Sequence, residues 1–480
     1  MRSEKVSALL LVVLMMVTSV TAQEPLRIRN CRPTVPLASM SAVKRAPANG
    51  ENPYIGDRHQ LLVLVAFKDR QFKEADPVQL WSRVFNEKGF REAGFHGSVS
   101  DYFYDQSYGQ LNITFDIYYI QLADSCSKYR STWSDDENSK YLVQDVVDSL
   151  RARNIDWARY EWAGDGYVSQ LLMLYAGKGF HDGGDTNSIW PHQYWMTMHG
   201  VEPPEVPAGD RKLLVESYCC VQEMTGNGSY GVFGTICHEY SHCFGLPDFY
   251  NGSTQFVGKW DLMDYGNYSY DGFCPPGYSA HERMFMGWLH PVELEKPADI
   301  AQLQPLNEQP QAYIIRNDGY ADEYYLIENR QQSGWDESLP GSGIVVFHVD
   351  YDANIWKTGM PNSSSYKRYT IFPANNKTRT SAQDGWAYPY QGNDSLTNYS
   401  LPKATLLNAN SVGEMLMSRP ITDMKVEGGL ASFTFMGGTT TAIRPPHDVA
   451  DGKSSAILYD LGPLWIVRKT DGSIKKVMKH

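Results

Sequence analysis

Two histidines and a glutamate are the residues of this 480-residue chain best suited by type and spacing to chemistry: His238, Glu239 and His242. On a helix, residues four apart project from one face, so both imidazoles could bind a single Zn²⁺ ion. Glu239 lies about 100° around the helix from His238, where it can reach a water held at the metal. This arrangement predicts metal-assisted hydrolysis of peptide bonds, with Glu239 as the general base.

A third metal ligand is expected shortly after this motif. Gly245 can reverse the chain in a left-handed conformation and return Asp248 toward the metal. The alternative role of Asp248 is that of a carboxylate at the helix end that hydrogen-bonds the loop. Glu282, on a later predicted helix, is the main rival as third ligand, although it lies far along the chain from His242.

The segment that follows, residues 260–266, contains two side chains that could support the same site. Met263 is soft and unbranched, and it could pack beneath the metal as the methionine in the tight turn of metzincin proteases does. Tyr265 could donate a hydrogen bond to a developing oxyanion, or it could be a packing tyrosine. Tyr265 therefore joins Glu239 as a candidate catalytic residue.

Hydrophobic periodicity indicates the elements that must position these residues. The predicted strands lie at 60–67, 111–115 and 168–175, and the predicted helices at 139–153, 230–244 and 278–288. After residue 293, short alternating runs separated by turn residues are typical of β structure. The sequence thus predicts an α/β (α+β) catalytic domain with an active-site helix and a mixed sheet, followed by an all-β sandwich-like domain.

Several stretches of the chain resemble the immune inhibitor A-type family of secreted zinc metallopeptidases. They are 98–103, 107–109, 190–192, 238–248, the turn at Met263, 277–288, 326–330 and 339–350. The resemblance covers residues 58–436 and implies a metzincin-like catalytic domain. It also implies a Zn²⁺ ion bound by His238, His242 and Asp248, with Glu239 as the base.

One departure from the family concerns calcium. Relatives often carry an Asp-rich calcium loop where this chain has residues 160–167. Only Glu161 and Asp165 offer side-chain oxygens there, against the six to eight oxygen ligands that Ca²⁺ typically takes. A Ca²⁺ ion is therefore not expected at this loop, and a calcium site elsewhere in the chain stays unlocated.

The ends of the chain differ in composition from its centre. Residues 1–22 combine a short positive region, an apolar run and small residues at the end, which is typical of a signal peptide. This predicts a secreted protein, located in the medium, at the cell surface or in the periplasm. The expected segments after the signal peptide are a pro-segment or N-terminal arm at 23–53, the catalytic domain at 54–292, a β-rich accessory domain at 293–437, and a linker with a short β tail at 438–480.

Bulk properties exclude two classes of partner. The formal net charge of −12 argues against nucleic acid, because phosphate binding needs a basic face. Beyond the signal peptide, no segment approaches about 18 consecutive apolar residues, so no stable membrane insertion is expected. Protein or peptide substrates are the expected partners, and the protein is expected to be a monomer.

The seven cysteines suggest a hypothesis about latency. Cys31 lies in the predicted pro-segment, and its thiolate could occupy a zinc position until the segment is cut, as in a zymogen; the alternative is an incidental or intermolecular cysteine. The other six could form three disulfides, although Cys237 and Cys243 lie too far apart on one helix to pair together. His192 is interpreted as a solvent-facing or structural histidine rather than a cleft residue, and His348 as a packed sheet residue.

An endopeptidase is the leading interpretation of these patterns. The alternative from another class is a catalytically idle protein-binding module that keeps the peptidase fold. Glu239 argues against that alternative, because an idle descendant has no chemical need for this carboxylate. An exopeptidase is a weaker rival, since no device for gripping a chain terminus is visible. The β-rich domain either holds substrate or steadies the catalytic domain, and the C-terminal tail resembles the end of a sorting tail of some Gram-negative bacteria.

Overall fold

The computed structural model describes residues 52–132, 136–357, 359–438, 442–443, 456–460, 464–468 and 474–478. The predicted signal peptide, nearly all of the predicted pro-segment and Cys31 lie outside these residues. Within the described part of the chain, no helix is long and apolar enough to cross a membrane.

The N-terminal region is built on a five-stranded mixed sheet. Its strand order is β2-β1-β3-β7-β4, with β4 antiparallel to β7 and the other neighbours parallel, and β5 pairs with β6 in a separate hairpin. This confirms the predicted mixed sheet. The strands are β1 Gly56–Ala66, β2 Leu111–Gln121, β3 Leu171–Lys178, β4 His192–Trp195, β5 Glu205–Ala208, β6 Arg211–Leu214 and β7 Ser217–Met224.

Helices cover both faces of this sheet, and the side chains of β1 alternate between two cores. Leu62 and Leu64 pack in the core that α1, α2 and α4 share, whereas Leu61 and Val63 pack in the core that contains α3. A strand covered on both faces reads as a continuous apolar run, which is why β1 was predictable. The helices are α1 Pro77–Asn86, α2 Val99–Gln106, α3 Ser139–Arg151, α4 Phe233–Ser241, α5 Ala280–Met286 and α6 Ala353–Lys357.

Short 3₁₀ helices connect these elements, and three of them lie between α4 and α5 along the chain. They are Cys126–Tyr129, Trp157–Tyr160, Thr197–His199, His242–Phe244, Gly258–Trp260, Gly266–Gly272, Gly334–Asp336 and Thr380–Gly385. The predicted helix at 230–244 begins later than expected, because α4 starts at Phe233, and it ends in a 3₁₀ turn. Gly231 lies against the main chain of Asp271, a close approach that a side chain at 231 would prevent.

The C-terminal region is β-rich. One sheet has the order β13-β12-β11-β10-β8 and the other β14-β15-β9-β16, and both are mainly antiparallel. The strands are β8 Val292–Glu293, β9 Ala298–Leu303, β10 Tyr313–Arg316, β11 Glu323–Arg330, β12 Gly343–Asp350, β13 Tyr369–Ile371, β14 Ile421–Glu427, β15 Leu430–Phe435 and β16 Ala442–Ile443. A three-stranded antiparallel sheet follows, formed by β17 Ala456–Asp460, β18 Leu464–Arg468 and β19 Ile474–Met478.

The strands β11 and β12 connect the two regions. All of their residues are buried, and their two faces contribute to two different cores. Tyr325 and Ile327 on one face share a hydrophobic core with Phe433 of the second sheet, which makes this part a sandwich as predicted. Leu326 on the other face belongs to the same core as Tyr240 of α4. The region is not purely β, since it contains α6 and two 3₁₀ helices. The candidate site is thus backed by one continuous hydrophobic core that spans both regions.

Candidate metal centre

Helix α4 and the 3₁₀ turn after it bring the two histidines of the motif together. His238 lies on α4, His242 opens the turn, and their ring centroids are 5.0 Å apart. Every residue of α4 is buried. Gly234 permits this depth, because a Cβ at that position would collide with the main chain of Asn267. The buried helix and the turn after it therefore hold the two imidazoles in a fixed setting.

The turn after His242 brings Asp248 back to the two imidazoles. Gly245 has a φ of +87°, a left-handed conformation that a residue with a side chain adopts only under strain. The amide of Asp248 donates to the carbonyl of Gly359 at 3.0 Å, which fixes the returning chain against the C-terminal region. The Oδ1 atom of Asp248 lies 3.1 Å from Nε2 of His238 and 3.3 Å from Nε2 of His242.

Hydrogen bonds on the far side of each imidazole set its orientation. The Nδ1 atom of His238 lies 2.9 Å from the carbonyl oxygen of Leu262, and that of His242 lies 2.7 Å from the carbonyl oxygen of Leu246. A carbonyl oxygen can only accept, so each Nδ1 carries a proton and donates it. Each Nε2 is then the atom that faces Asp248, and this is the arrangement in which histidines bind metals.

The three facing atoms fit a zinc ion. Tetrahedral zinc with ligands at about 2.0–2.1 Å places neighbouring ligand atoms about 3.3 Å apart, which matches the separations from Asp248 to both histidines. In addition, Nε2 of His242 and Oδ2 of Asp248 are buried and have no hydrogen-bond partner among the described residues. A cation held between them would satisfy both atoms, so the donor set suits a metal ion in the types of its atoms and in the two separations from Asp248.

Glu239 lies beside the same atoms. A carboxylate oxygen of Glu239 and one ring nitrogen each of His238 and His242 lie within 4.8 Å of one another. The Glu239 side chain is buried, with 3% of the residue exposed. Glu239 is therefore close enough to exchange a proton with a group held at the metal position. The sequence prediction that these three residues meet is confirmed.

The turn around Met263 supports the centre from below α4. The carbonyl of Leu262 holds His238, and the carbonyl of Met263 accepts from the amide of Phe249 at 2.8 Å, one residue after Asp248. Met263 itself is fully buried in the core that contains α4. The turn thus touches the chain on both sides of the centre and fixes the relative position of its ligands.

A buried side-chain relay fixes this turn to the C-terminal region. Asp261 accepts from the amide of Met263 at 2.7 Å and from the hydroxyl of Tyr369 at 2.7 Å. The hydroxyl of Tyr369, on β13, also lies 2.8 Å from Oγ of Ser279 at the start of α5. Strand β13 therefore stabilises the N-terminal region through hydrogen bonds that are buried from water.

Removal of this hydroxyl should destabilise the protein without removing the metal ligands. We expect Tyr369→Phe to lower the free energy of unfolding by about 1–3 kcal/mol, because Asp261 loses a buried partner. Tyr388→Phe is the matched control, since the buried hydroxyl of Tyr388 has no partner among the described residues. Urea denaturation measures the free energy of unfolding of both variants. An equal loss in the two variants would contradict this account.

The protonation of His238 links metal affinity to pH. Burial alone would lower the pKa of His238, but the hydrogen bond to Asp248 and the charge of Glu239 raise it to about 9. Burial favours neutral Asp248, yet the two imidazoles hold the pKa of this carboxyl well below its usual range. Metal-free protein at neutral pH therefore carries a proton on His238 that zinc must displace.

We expect zinc affinity to rise about tenfold per pH unit between pH 7 and pH 9, and to level off above pH 9. The sign follows from the raised pKa, because the competing proton is present below pH 9 and lost above it. Calorimetric titration of metal-free protein in buffers of different ionisation enthalpy would measure both the affinity and the released proton. An affinity independent of pH in this range would contradict the assignment.

Two other candidates take different places. Tyr265 is partly buried, its ring packs against Tyr268 with centroids 4.9 Å apart, and its amide donates to the carbonyl of Gly258. Its role as an oxyanion donor stays a prediction. Glu282, the rival third ligand, accepts from the amide of Ser279 at 2.7 Å in the capping box of α5. Neither Glu282 nor Asp248 belongs to the group that His238, Glu239 and His242 form, but the carboxylate of Asp248 lies within ion-pair distance of both histidines.

The remaining singled-out residues have structural partners. His192 is buried rather than solvent-facing, and its ring lies 3.0 Å from the hydroxyl of Tyr218. His348 is a packed sheet residue as predicted, 2.6 Å from Glu323. Glu161 forms an ion pair with Arg211 and accepts from the amide of Gly166, so its oxygens are already occupied. The six described cysteines are free thiols, and none of the three disulfides that the sequence allowed is formed among them.

A small recess lies beside His242 that sequence reasoning missed. Its volume is about 70 Å³, and its walls include His242, Cys243, Trp195 and Glu216. Trp195 ends the antiparallel edge strand β4, and Glu216 immediately precedes β7. No sequence pattern announces this recess, because sheet pairing rather than chain proximity brings these residues together.

Comparison with known proteins places the site in a family context. Residues 68–287 match the family model described as "Immune inhibitor A peptidase M6, catalytic domain". The chain is 26% identical over 179 residues to "Pre-pro-metalloprotease PrtV" of two Vibrio cholerae serotype O1 strains, covering 32% of this chain and 19% of that protein. It is 26% identical over 151 residues to "Immune inhibitor A" of Bacillus thuringiensis subsp. alesti, covering 27% of this chain and 21% of that protein. The chain thus spans only about a fifth of the length of the curated relatives it matches.

Proposed function

Because the chain belongs to the immune inhibitor A family of M6 peptidases, with the catalytic domain matched at residues 68–287, we propose that it is a zinc-dependent endopeptidase. His238, His242 and Asp248 are the proposed zinc ligands. The observation that carries the proposal is the triangle of their buried donor atoms, with Glu239 beside it. Nε2 of His242, and Oδ2 of Asp248 beside the triangle, have no hydrogen-bond partner among the described residues, and a cation would satisfy them.

The chain's own residues divide the work of peptide hydrolysis. A zinc ion at this position supplies Lewis-acid chemistry, which polarises a carbonyl and makes water more acidic. The carboxylate of Glu239 takes the proton of the attacking water and returns it to the nitrogen of the leaving amine. Leu262 and Leu246 keep Nε2 of both histidines free of protons in the loaded state, through the bonds to Nδ1.

Tyr265 is the proposed donor to the oxyanion that develops on the substrate carbonyl. Burial raises the pKa of Tyr265, with the nearby Asp264 charge adding to the effect, so the hydroxyl keeps its proton at neutral pH. A neutral phenol can donate to a developing negative charge. The competing role, a packing tyrosine, rests on the contact with Tyr268.

The recess beside His242 is the proposed site for one substrate side chain. Its volume of about 70 Å³ favours a small side chain over an aromatic one. Glu216 in its wall adds a negative charge, although this carboxylate already accepts from the amide of Thr197 at 3.3 Å. We expect cleavage next to small or short basic residues.

Export and latency belong to the same proposal. One relative is named a pre-pro-metalloprotease, and this chain has a signal-like stretch at 1–22 and a candidate pro-segment at 23–53. We propose a secreted zymogen that acts on protein or peptide substrates as a monomer, with a catalytic domain at 54–292, an accessory domain at 293–437 and a tail at 438–480. Whether Cys31 holds the zinc in the latent form is a separate hypothesis, and no calcium site is proposed.

The alternative is a catalytically idle module that binds protein with the same fold. A binding module would explain the buried site, but it would give the carboxylate of Glu239 no chemical role. The experiment uses a chain from which residues 23–45 are removed, because the dibasic pair Lys44-Arg45 is the candidate cut in the pro-segment. Incubation of this chain with unfolded casein separates the two functions. Mass spectrometry should find internal fragments that disappear with a chelator and return with zinc. Release of single residues from one terminus would indicate an exopeptidase, and zinc-loaded protein without any cleavage would indicate the binding module.

A further inference from the structure

A second group of metal-binding side chains meets away from the candidate active site. It consists of His96, Cys274 and Glu337, with one donor atom of each within 4.8 Å of the others. The Nδ1 atom of His96 lies 3.2 Å from Oε1 of Glu337. Within the described part of the chain, this group and the His238 group are the only ones of this kind. None of its three residues takes part in the proposed catalytic chemistry.

Two of the three side chains are positioned by Trp335. The ring of His96 lies 5.2 Å from that of Trp335, and a Cβ on the neighbouring Gly97 would come within 2.9 Å of the indole. Glycine at 97 therefore permits the approach of the His96 loop. The Sγ atom of Cys274 lies 3.6 Å from the carbonyl oxygen of Trp335, and the hydroxyl of Ser338 donates to the carbonyl of Cys274 at 3.0 Å. His96 and Cys274 are thus held from the same side.

The third side chain, Glu337, projects from a rigid turn. The preceding Asp336 forms a buried ion pair with Arg330 at 2.6 Å and accepts from the amide of Gly277 at 2.9 Å. Breaking a buried pair of this kind is costly, so the main chain at this position is fixed. The Glu337 side chain itself is 39% exposed, which leaves it free to adjust and leaves a path from solvent.

We propose that His96, Cys274 and Glu337 form a second Zn²⁺ site. One imidazole, one thiolate and one carboxylate are the three ligand types that zinc combines in proteins, and a thiolate disfavours Ca²⁺ and Mg²⁺. The His96 and Glu337 donor atoms are already at a separation that zinc ligands have, and small adjustments of the His96 and Glu337 side chains toward Cys274 would close the site. Three protein ligands leave the fourth position to water from the exposed side.

The site would join the two regions of the fold close to α4. Glu337 belongs to the C-terminal region, whereas His96 and Cys274 belong to the N-terminal region. Trp335 stacks on Phe233, the first residue of α4, with ring centroids 5.6 Å apart and an interplanar angle of 6°. A zinc ion that binds only the folded chain stabilises it by mass action. Zinc at this site therefore stiffens the junction on which the active-site helix begins.

Zinc counting in the full chain carrying Glu239→Gln, which suppresses self-cleavage, tests the proposal. Elemental mass spectrometry measures the zinc content of the protein. We expect two zinc ions per chain, and one zinc ion per chain after the additional substitution Cys274→Ser or Glu337→Gln. Because the Glu337 side chain is partly exposed, Glu337→Gln is not expected to disturb folding. Cys126→Ser, which alters another buried thiol, should keep both ions. A zinc content that is the same with and without Cys274→Ser overturns the proposal, whether the active-site ion is present or not.

Cobalt substitution identifies the ligand directly. Thiolate bound to Co²⁺ absorbs in the near ultraviolet, and once residues 23–45 with Cys31 are removed, the ligands proposed at the active site contain no sulphur. We expect this absorbance in the parent chain and in Cys243→Ser, and its loss in Cys274→Ser. Absorbance that survives Cys274→Ser but disappears in Cys243→Ser would assign the thiolate to the active-site helix and overturn the second site. The outcome is independent of casein cleavage, so it does not depend on the peptidase proposal.

Discussion

Glu239→Gln is expected to reduce casein cleavage by about 10²–10⁴-fold while the protein keeps its zinc. The amide has nearly the same size as the carboxylate but cannot take a proton from water. The zinc ligands and their bonds to Leu262 and Leu246 are untouched, so metal binding should persist. Initial cleavage rates and zinc content, measured on the same preparation, give both quantities.

Glu223→Gln is the matched control for this variant. Glu223 is also a buried carboxylate, but it accepts from the main-chain amides of Lys73 and Gly177 and is absent from the metal-binding groups of the described residues. The control should cleave casein at the parental rate. If Glu239→Gln kept the parental rate as well, Glu239 would not be the base.

Asp248→Asn is expected to weaken zinc binding by about 100-fold or more, because it removes the only negative charge among the proposed ligands. The substitution keeps the shape of the side chain, and it keeps the hydrogen bond from the main-chain amide of residue 248 to the carbonyl of Gly359. It also removes the group that raises the pKa of His238, so the proton released on zinc binding should diminish. Competition with a chelating dye at pH 7 measures the affinity.

Glu282→Gln discriminates between the two candidates for the third ligand. Glu282 caps α5 through Ser279, so its substitution should affect stability rather than zinc affinity. Parental zinc affinity in Asp248→Asn together with a large loss in Glu282→Gln would reverse the assignment. A loss in Asp248→Asn alone supports it.

The active-site motif could be predicted because its geometry is local. The spacing of four positions from His238 to His242 determines a shared helix face, and the burial of α4 follows from its apolar residues. The mixed sheet was predictable for a similar reason, since strands covered on both faces are continuous apolar runs such as β1. The start of α4 at Phe233 was not predicted, and the nearby contact of Gly231 with the main chain of the distant Asp271 is one that no local pattern records.

Side chains with distant partners could not be assigned from the sequence. The burial of His192 depends on Tyr218, which strand pairing between β4 and β7 places beside it. Glu161 meets Arg211 only after the chain has folded, and this ion pair accounts for an acidic residue that looked like a remnant calcium ligand. Tertiary packing decides such roles, and no local spacing records it.

The contribution of the C-terminal region also emerged only from the fold. The sequence left open whether this region holds substrate or steadies the catalytic domain. Tyr369 reaches Asp261 beneath the centre, Trp335 stacks on the first residue of α4, and Gly359 binds the amide of Asp248. These contacts support the steadying role, because each one ends on an element that positions a proposed ligand.

Titration of metal-free protein with zinc, followed by casein cleavage, tests the central claim most directly. The Cys274→Ser chain, with residues 23–45 removed, is the best material because it should retain only the active-site ion. We predict that the cleavage rate is negligible without metal, rises linearly with added zinc and reaches its plateau at one ion per chain. Full cleavage by the metal-free chain, or no cleavage when one zinc ion is bound, would contradict the assignment of His238, His242 and Asp248 as the ligands of a catalytic zinc.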